Sequence, residues 1–448
     1  MYQRTSKKLK EYYVDKSKNY LPLIFFLILV SLFAPRGIGV NLIGSVVDIS
    51  EILIVFLFIL CIPFLRSYSV GELSLVASVI LPLTFIIFRE DSIFSLQRYI
   101  FFFFISFSGF FIGKFLMTYS NKDLVPKLVA KLMVVNSVAL ILYFINDYFL
   151  IFDLSSLRAY DPELSDRLAS MTRDLGINYF DNFIGYAVVM NSFAIHQSII
   201  FYIGCTFYFL FHKDFSRLLK FLVYLSIIIS ITSIALSQSR GPLLFSSLLL
   251  ILFSFWDIFL RKSNRVGIRS NPIFLIILII FCLIIYYSEQ VIFIITNLST
   301  LLNYADVSGL GGISIQDSGS KRIAALSSIP ELILVYPHSI LIGLGEGFWS
   351  YEKIYSFLLF GDLGLLITYL FEFGIISWAI LVTFLYINIK NLINRGDFLS
   401  LALSIIIVLS LLSLMITSMK DSYWLFFMIV GMISQHNNES LHNNNSIP

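Results

Sequence analysis

The sequence predicts an all-α, polytopic integral membrane protein, a helical bundle with about twelve transmembrane helices and one long, partly helical outer loop. Three observations predict it. Of 448 residues, 58% are hydrophobic and 13% charged, and the mean hydropathy is +0.87, far from the near-even split of soluble domains. The apolar residues gather in runs close to the roughly 20 that cross a bilayer core as a helix satisfying its own backbone. Lysine and arginine concentrate in every second connection between those runs.

Taken in order, the chain opens on a basic tail, 1–19, carrying Arg4, Lys7, Lys8, Lys10, Lys16 and Lys18. That tail is too long and too charged for the leader of a cleaved signal, so the first run reads as an uncleaved helix. Residues 20–150 supply helices one to five, near 20–36, 51–66, 69–88, 98–118 and 128–150. An outer loop, 151–182, precedes helices six to nine in 183–289, near 183–211, 218–237, 241–260 and 271–289. A long outer segment, 290–361, leads to helices ten to twelve in 362–434, near 362–389, 398–417 and 421–434, and a polar tail, 435–448, ends the chain.

With the first tail inside, the inner connections collect Arg66, Lys114 to Lys131, Lys213, Arg217, Lys220, Arg261, Lys262, Arg265, Arg269, Lys390 and Arg395. Together with the tail these make 20 of the 31 Lys and Arg, leaving 11 outside, so both termini are expected in the cytoplasm. Six of those 11 sit in the two long outer segments, which translocate with little regard to charge.

The same figures exclude several classes. A net charge of +3, dispersed among apolar runs, gives no basic face for nucleic acid. Cys61, Cys205 and Cys282 each lie within an apolar run and act as small hydrophobes. No CxxC or HExxH spacing occurs and the five histidines are scattered, so no metal site and no cofactor are expected.

Candidate functional residues lie on the outer side. The loop 151–182 sets Arg158, Arg167 and Arg173 among Asp161, Glu163, Asp166, Asp174 and Asp181, a mixed-charge surface suited to a polar ligand. Arg240 stands in Ser237-Gln-Ser-Arg-Gly-Pro242, a turn between two apolar runs with no acid nearby. It serves either as an arginine snorkelling to lipid headgroups or as a planar donor aimed at phosphate. In the long segment, Lys321 and Arg322 follow a Gly/Ser-rich stretch and open an apolar pattern of helical spacing from Ile323 to Leu334. A helix start there adds its positive end to the two cations, although charged residues also commonly begin solvated helices. Further on, Gly343, Gly345 and Gly347 space a turn that positions Glu346, close to His338, without the Lys-Ser/Thr ending of a nucleotide loop. Glu372 within its apolar run, and His196 beside Asn191 and Gln197, read as interhelical hydrogen-bonding groups or as a proton relay.

In arrangement these outer residues resemble the O-antigen polymerase and ligase family. The shared features are the Ser239-Arg240-Gly241 turn after a mid-chain helix, then a long periplasmic loop in which Arg322 leads a helix. The glycine turn from Pro337 to Phe348 comes next, and after it the block Gly361-Asp362-Leu-Gly-Leu-Leu-Ile-Thr-Tyr-Leu-Phe-Glu-Phe-Gly374. The similarity covers roughly residues 180 to 390. The ligase branch begins that last block with His-Asn, which is missing here, so the polymerase branch is favoured.

The resemblance implies a bacterial inner-membrane glycosyltransferase joining repeat units carried on undecaprenyl pyrophosphate at the periplasmic face. Donor and acceptor are both lipid-linked glycans, and a chain-length regulator is an expected partner. Arg240 and Arg322 would neutralise the departing lipid pyrophosphate without a metal. Glu346, Asp362 and His338 stand as alternative bases for the attacking hydroxyl, with no preference among them. Arg158, Arg167, Arg173, Lys321 and the glycines 343, 345 and 347 would hold the glycan, with Tyr160 and Tyr179 packing on sugar faces. A ligase, a lipid-linked oligosaccharide flippase and an ion-coupled transporter are the alternatives. A flippase should concentrate charge within its helices, whereas here charge lies mostly in loops.

Overall fold

The computed structural model describes residues 39–62, 68–81, 102–119, 125–149, 190–236, 240–261, 365–416 and 423–444, except 43, 44, 212 and 214, with isolated positions elsewhere such as Ile24, Leu27, Tyr99 and Gly343. Its elements are a hairpin of β1 (Gly39–Leu42) and β2 (Ser45–Asp48), then α1 (Ile49–Cys61), α2 (Val70–Ile80), a π-helical segment Phe102–Phe107 running into α3 (Ser108–Tyr119), and α4 (Val125–Phe149). There follow α5 (Met190–Phe211), α6 (Arg217–Leu236), α7 (Arg240–Arg261), α8 (Leu365–Arg395), α9 (Phe398–Ile416) and α10 (Tyr423–Asn444).

The protein is a helical membrane protein. Among the described residues, five stretches are long and apolar enough to cross a bilayer, in α4, α5, α6, α8 and α9, and there are shorter apolar helices as well. The antiparallel hairpin, pairing Gly39 with Asp48 and Leu42 with Ser45, is a departure from the expected purely helical chain. The expected first run is described only at Ile24 and Leu27, both helical and buried, and the ninth, 271–289, lies outside the described residues. So do the loop 151–182 and nearly all of 290–361, where Leu334, at the end of the expected loop helix, is helical.

Local sequence explains the ends of these helices. Ser69 and Glu72 form a reciprocal capping box at the start of α2. Asp397 accepts the Ser400 amide at 2.8 Å to begin α9, and Gly396 before it, at φ 67°, ends α8 in the left-handed conformation that glycine adopts without strain. The last helix continues to Asn444, past the expected start of a tail at 435, because Gln435, His436 and Asn437 are buried against neighbouring elements.

Helices α3 and α10 pack most closely. Gly109 and Gly113 on α3 and Gly431 on α10 leave no room for side chains: a Cβ on Gly113 would run into the Met428 carbonyl, and one on Gly431 into that of Phe110. Around this contact, α1, α2, α8 and α9 complete one core, rich in phenylalanine, that includes Phe107, Phe110, Phe373 and Phe427. A second core joins α4, α5, α6 and α7 to α9.

Candidate functional site

Of the expected site residues, the structure describes Arg240 and Gly343. Arg240 is the first residue of α7, with Gly241 and Pro242 in the same first turn, where proline's missing amide costs no helical hydrogen bond. Arg158, Arg167, Arg173, Lys321, Arg322, His338, Gly345, Glu346, Gly347 and Asp362 lie outside the described residues.

Gly343 sits at a φ of 85° directly on the backbone of α8, and a Cβ there would collide with the Glu372 carbonyl and the Gly374 amide. Helix α8 breaks at that point, because Gly374 takes φ 82° and ψ 167°, a conformation essentially confined to glycine. Glu372, two residues before the break, is 1% exposed. The residues flanking it belong to an aromatic wall. Tyr369 stacks on Phe373 with centroids 4.4 Å apart, and Phe102 and Tyr99 approach Phe373 at 4.8 and 6.3 Å. Two features expected separately from sequence, the glycine turn and the Glu372-Phe-Gly374 block, therefore meet. Arg240 is carried by a helix packed on α5, α6 and α9.

A second charged site escaped sequence reasoning. Lys114, expected in an inner connection, is 2% exposed within α3, and its Nζ donates to Glu72 Oε2 at 2.8 Å. The other carboxylate oxygen of Glu72 accepts Ser434 Oγ at 2.7 Å, and the ring of Tyr68 lies 4.3 Å from the ammonium. The correction has a simple physical cause: a lysine in a packed apolar bundle needs a counter-charge, and α2 delivers one across 42 residues of sequence. The signal that was present is the Ser69-x-x-Glu72 capping box, which fixes the carboxylate at a helix start.

In the α8–α9 turn, Asp397 gathers Ser400, Arg395 and His436 of α10. Ser400 Oγ donates to Asp397 Oδ2 at 2.7 Å, Arg395 Nε lies 3.4 Å from the same oxygen, and a second guanidinium nitrogen donates to the His436 carbonyl. Burial works against the Asp397 charge, yet the Ser400 hydroxyl and amide, His436 and Arg395 together hold the carboxyl below its usual range. Ser, His and Asp here do not form a hydrolytic relay. Ser400 Oγ at 3.0 Å and Asp397 Oδ2 at 3.7 Å both approach Nε2 of His436, whereas a relay needs the acid on Nδ1. The cluster clamps α10 to the α8–α9 turn, and Asn437 extends the clamp by donating to Asn388 Oδ1 at 2.9 Å.

Among the described residues no group of three or more His, Cys, Asp or Glu is placed to hold a metal ion. No family model matches the chain, and no curated protein does.

Proposed function

We propose that the protein is a polysaccharide polymerase of the O-antigen type, in the bacterial inner membrane with both termini cytoplasmic, about twelve spans and the segment 290–361 periplasmic. The observation that carries this reading is the seating of the Gly343 turn on the broken helix at Glu372 and Gly374, which joins the two outer features of the resemblance in one place. The topology is supported by the charge split and by the helix ends that meet. The start of α2, the end of α3, the α8–α9 turn and the end of the apolar part of α10 are all expected inside, and they share one polar layer.

In the proposed reaction a hydroxyl of the acceptor repeat unit attacks the anomeric carbon of the lipid-linked donor. The new glycosidic C–O bond forms as the anomeric carbon's bond to the pyrophosphate oxygen breaks, and the hydroxyl proton passes to a carboxylate or imidazole among Glu346, Asp362 and His338. Negative charge builds on the departing lipid pyrophosphate, where Arg240, at the amide-rich start of α7, and Arg322 would receive it.

Replacing either arginine by alanine, Arg240→Ala or Arg322→Ala, should leave single repeat units on the carrier lipid at normal protein level, and lysine should restore little because it offers no bidentate contact. Long chains from both normally expressed alanine variants would reject the reading. The buried Glu372 at a helix break also suits an ion-coupled transporter of the lipid-linked unit. Loss of that activity would strand the unit on the cytoplasmic leaflet, whereas loss of polymerisation leaves it on the outer one.

A further inference from the structure

Where α5, α7 and α9 meet, deep in the second core, the structure concentrates hydroxyl groups. Tyr202 is fully buried and its hydroxyl lies 2.8 Å from Ser413 Oγ, with Ser198 and Ser246 facing it as well. Thr206 and Ser410 are each 0% exposed and have no hydrogen-bond partner, and Ser246, also 0% exposed, has only the Tyr202 hydroxyl beside it. Ser230 of α6 is a further buried hydroxyl without a hydrogen-bond partner, whereas several helix-borne serines bond their own backbone. Ser137, Ser226, Ser233 and Ser404 each turn back to the carbonyl four residues earlier.

Thr206, Ser410 and Ser246 fall together. Helices α5 and α9 run antiparallel, since Tyr202 meets Ser413 while Phe207 shares a cavity wall with Leu403 and Ile406. One turn along from the Tyr202–Ser413 rung therefore brings Thr206 opposite Ser410. Ser246 enters the same junction from α7, beside the Tyr202 hydroxyl.

We propose that this junction binds ordered internal water, one or a few molecules bridging Thr206 and Ser410 and reaching Ser246 and Tyr202. A hydroxyl sealed in an apolar bundle without a partner destabilises the fold, and two at one place do so together unless a mobile donor and acceptor fills the gap. Water needs two to four polar partners to stay, and the junction offers them. The neighbouring cavity of about 60 Å³, walled by Gly204, Phe207, Leu403 and Met428, offers almost none and stays dry. The inference is independent of the glycan reading.

The test uses the full-length protein in lipid nanodiscs. A brief X-ray pulse turns bound water into hydroxyl radicals that oxidise only adjacent side chains, and mass spectrometry locates the products. Tyr202 and Cys205 should be oxidised although both are fully buried, while Met428, in the dry cavity, is spared. The double substitution Thr206→Val with Ser410→Ala should reduce oxidation of Tyr202 to background and lower the melting temperature. Unmodified Tyr202 in the wild-type protein would overturn the proposal, as would a Thr206→Val variant that melts higher, the response expected when a dry, unpaired hydroxyl is removed. Should the double variant fail to fold, the wild-type oxidation pattern alone decides.

Discussion

Glu72 has three simultaneous tasks: it closes the capping box of α2, neutralises Lys114 and accepts from Ser434. Removing its partner alone leaves an uncompensated charge in the bundle, so Lys114→Met should cost about 3–5 kcal/mol in thermal unfolding, with Glu72→Gln plus Lys114→Met less damaging than the single change. Equal loss in the single and the double would show that the pair is not coupled. Asp397 makes a milder, pH-dependent contribution. Its carboxyl is held below the ordinary 3.8, so the stabilisation is present above that value and disappears as pH falls through the lower, folded one. Asp397→Asn should therefore lower stability at neutral pH and flatten the acid side of the profile, the two proteins converging once pH falls below the folded value. Sequence reading singled out Arg240 and Gly343 because a lone arginine between apolar runs and a glycine series are local signals. It missed the Glu72–Lys114 pair because nothing in either neighbourhood names a partner 42 positions away.

For whole elements, the apolar runs among the described residues were legible, since a bilayer-spanning helix must be both long and greasy, although α10 continues to Asn444, past the expected 434. Their junctions were not. The π-helical opening of α3 and the break in α8 each depend on tertiary neighbours, here Phe373 and Phe427 around Phe102, and Gly343 against Glu372. Gly374 holds its break in a conformation that other residues enter at a cost of about 1–3 kcal/mol. Gly374→Ala should therefore straighten or unsettle α8, lowering the melting temperature and, under the proposed function, shortening the glycan; an unchanged melting temperature and chain length would make the break incidental. Gly113→Leu is a harsher test. Its side chain would have to displace the Met428 backbone, and α3 and α10 should separate, read as loss of the folded species by size-exclusion chromatography.

For the molecule as a whole, the fold class came from composition and hydropathy alone, while the relative order of helices in space did not, because a lipid-facing run and a core-facing run look alike in sequence. Fusions settle the topology. Alkaline phosphatase joined after Ser318 should be active and one at the C-terminus inactive, and the reverse pattern would invert the assigned orientation.

The contact between Ser434 and Glu72 spans 362 residues, from α2 to α10. A chain made from its N-terminus inserts α2 and α3 long before α10 exists, so the glycine face of α3 lacks its close-packed neighbour until α10 has been made. This part of the bundle is thus closed by α10, like a barrel whose later stave locks earlier ones. A ribosome that stops before Tyr423 releases a protein with every earlier span inserted and no finished core, a ready target for membrane quality control.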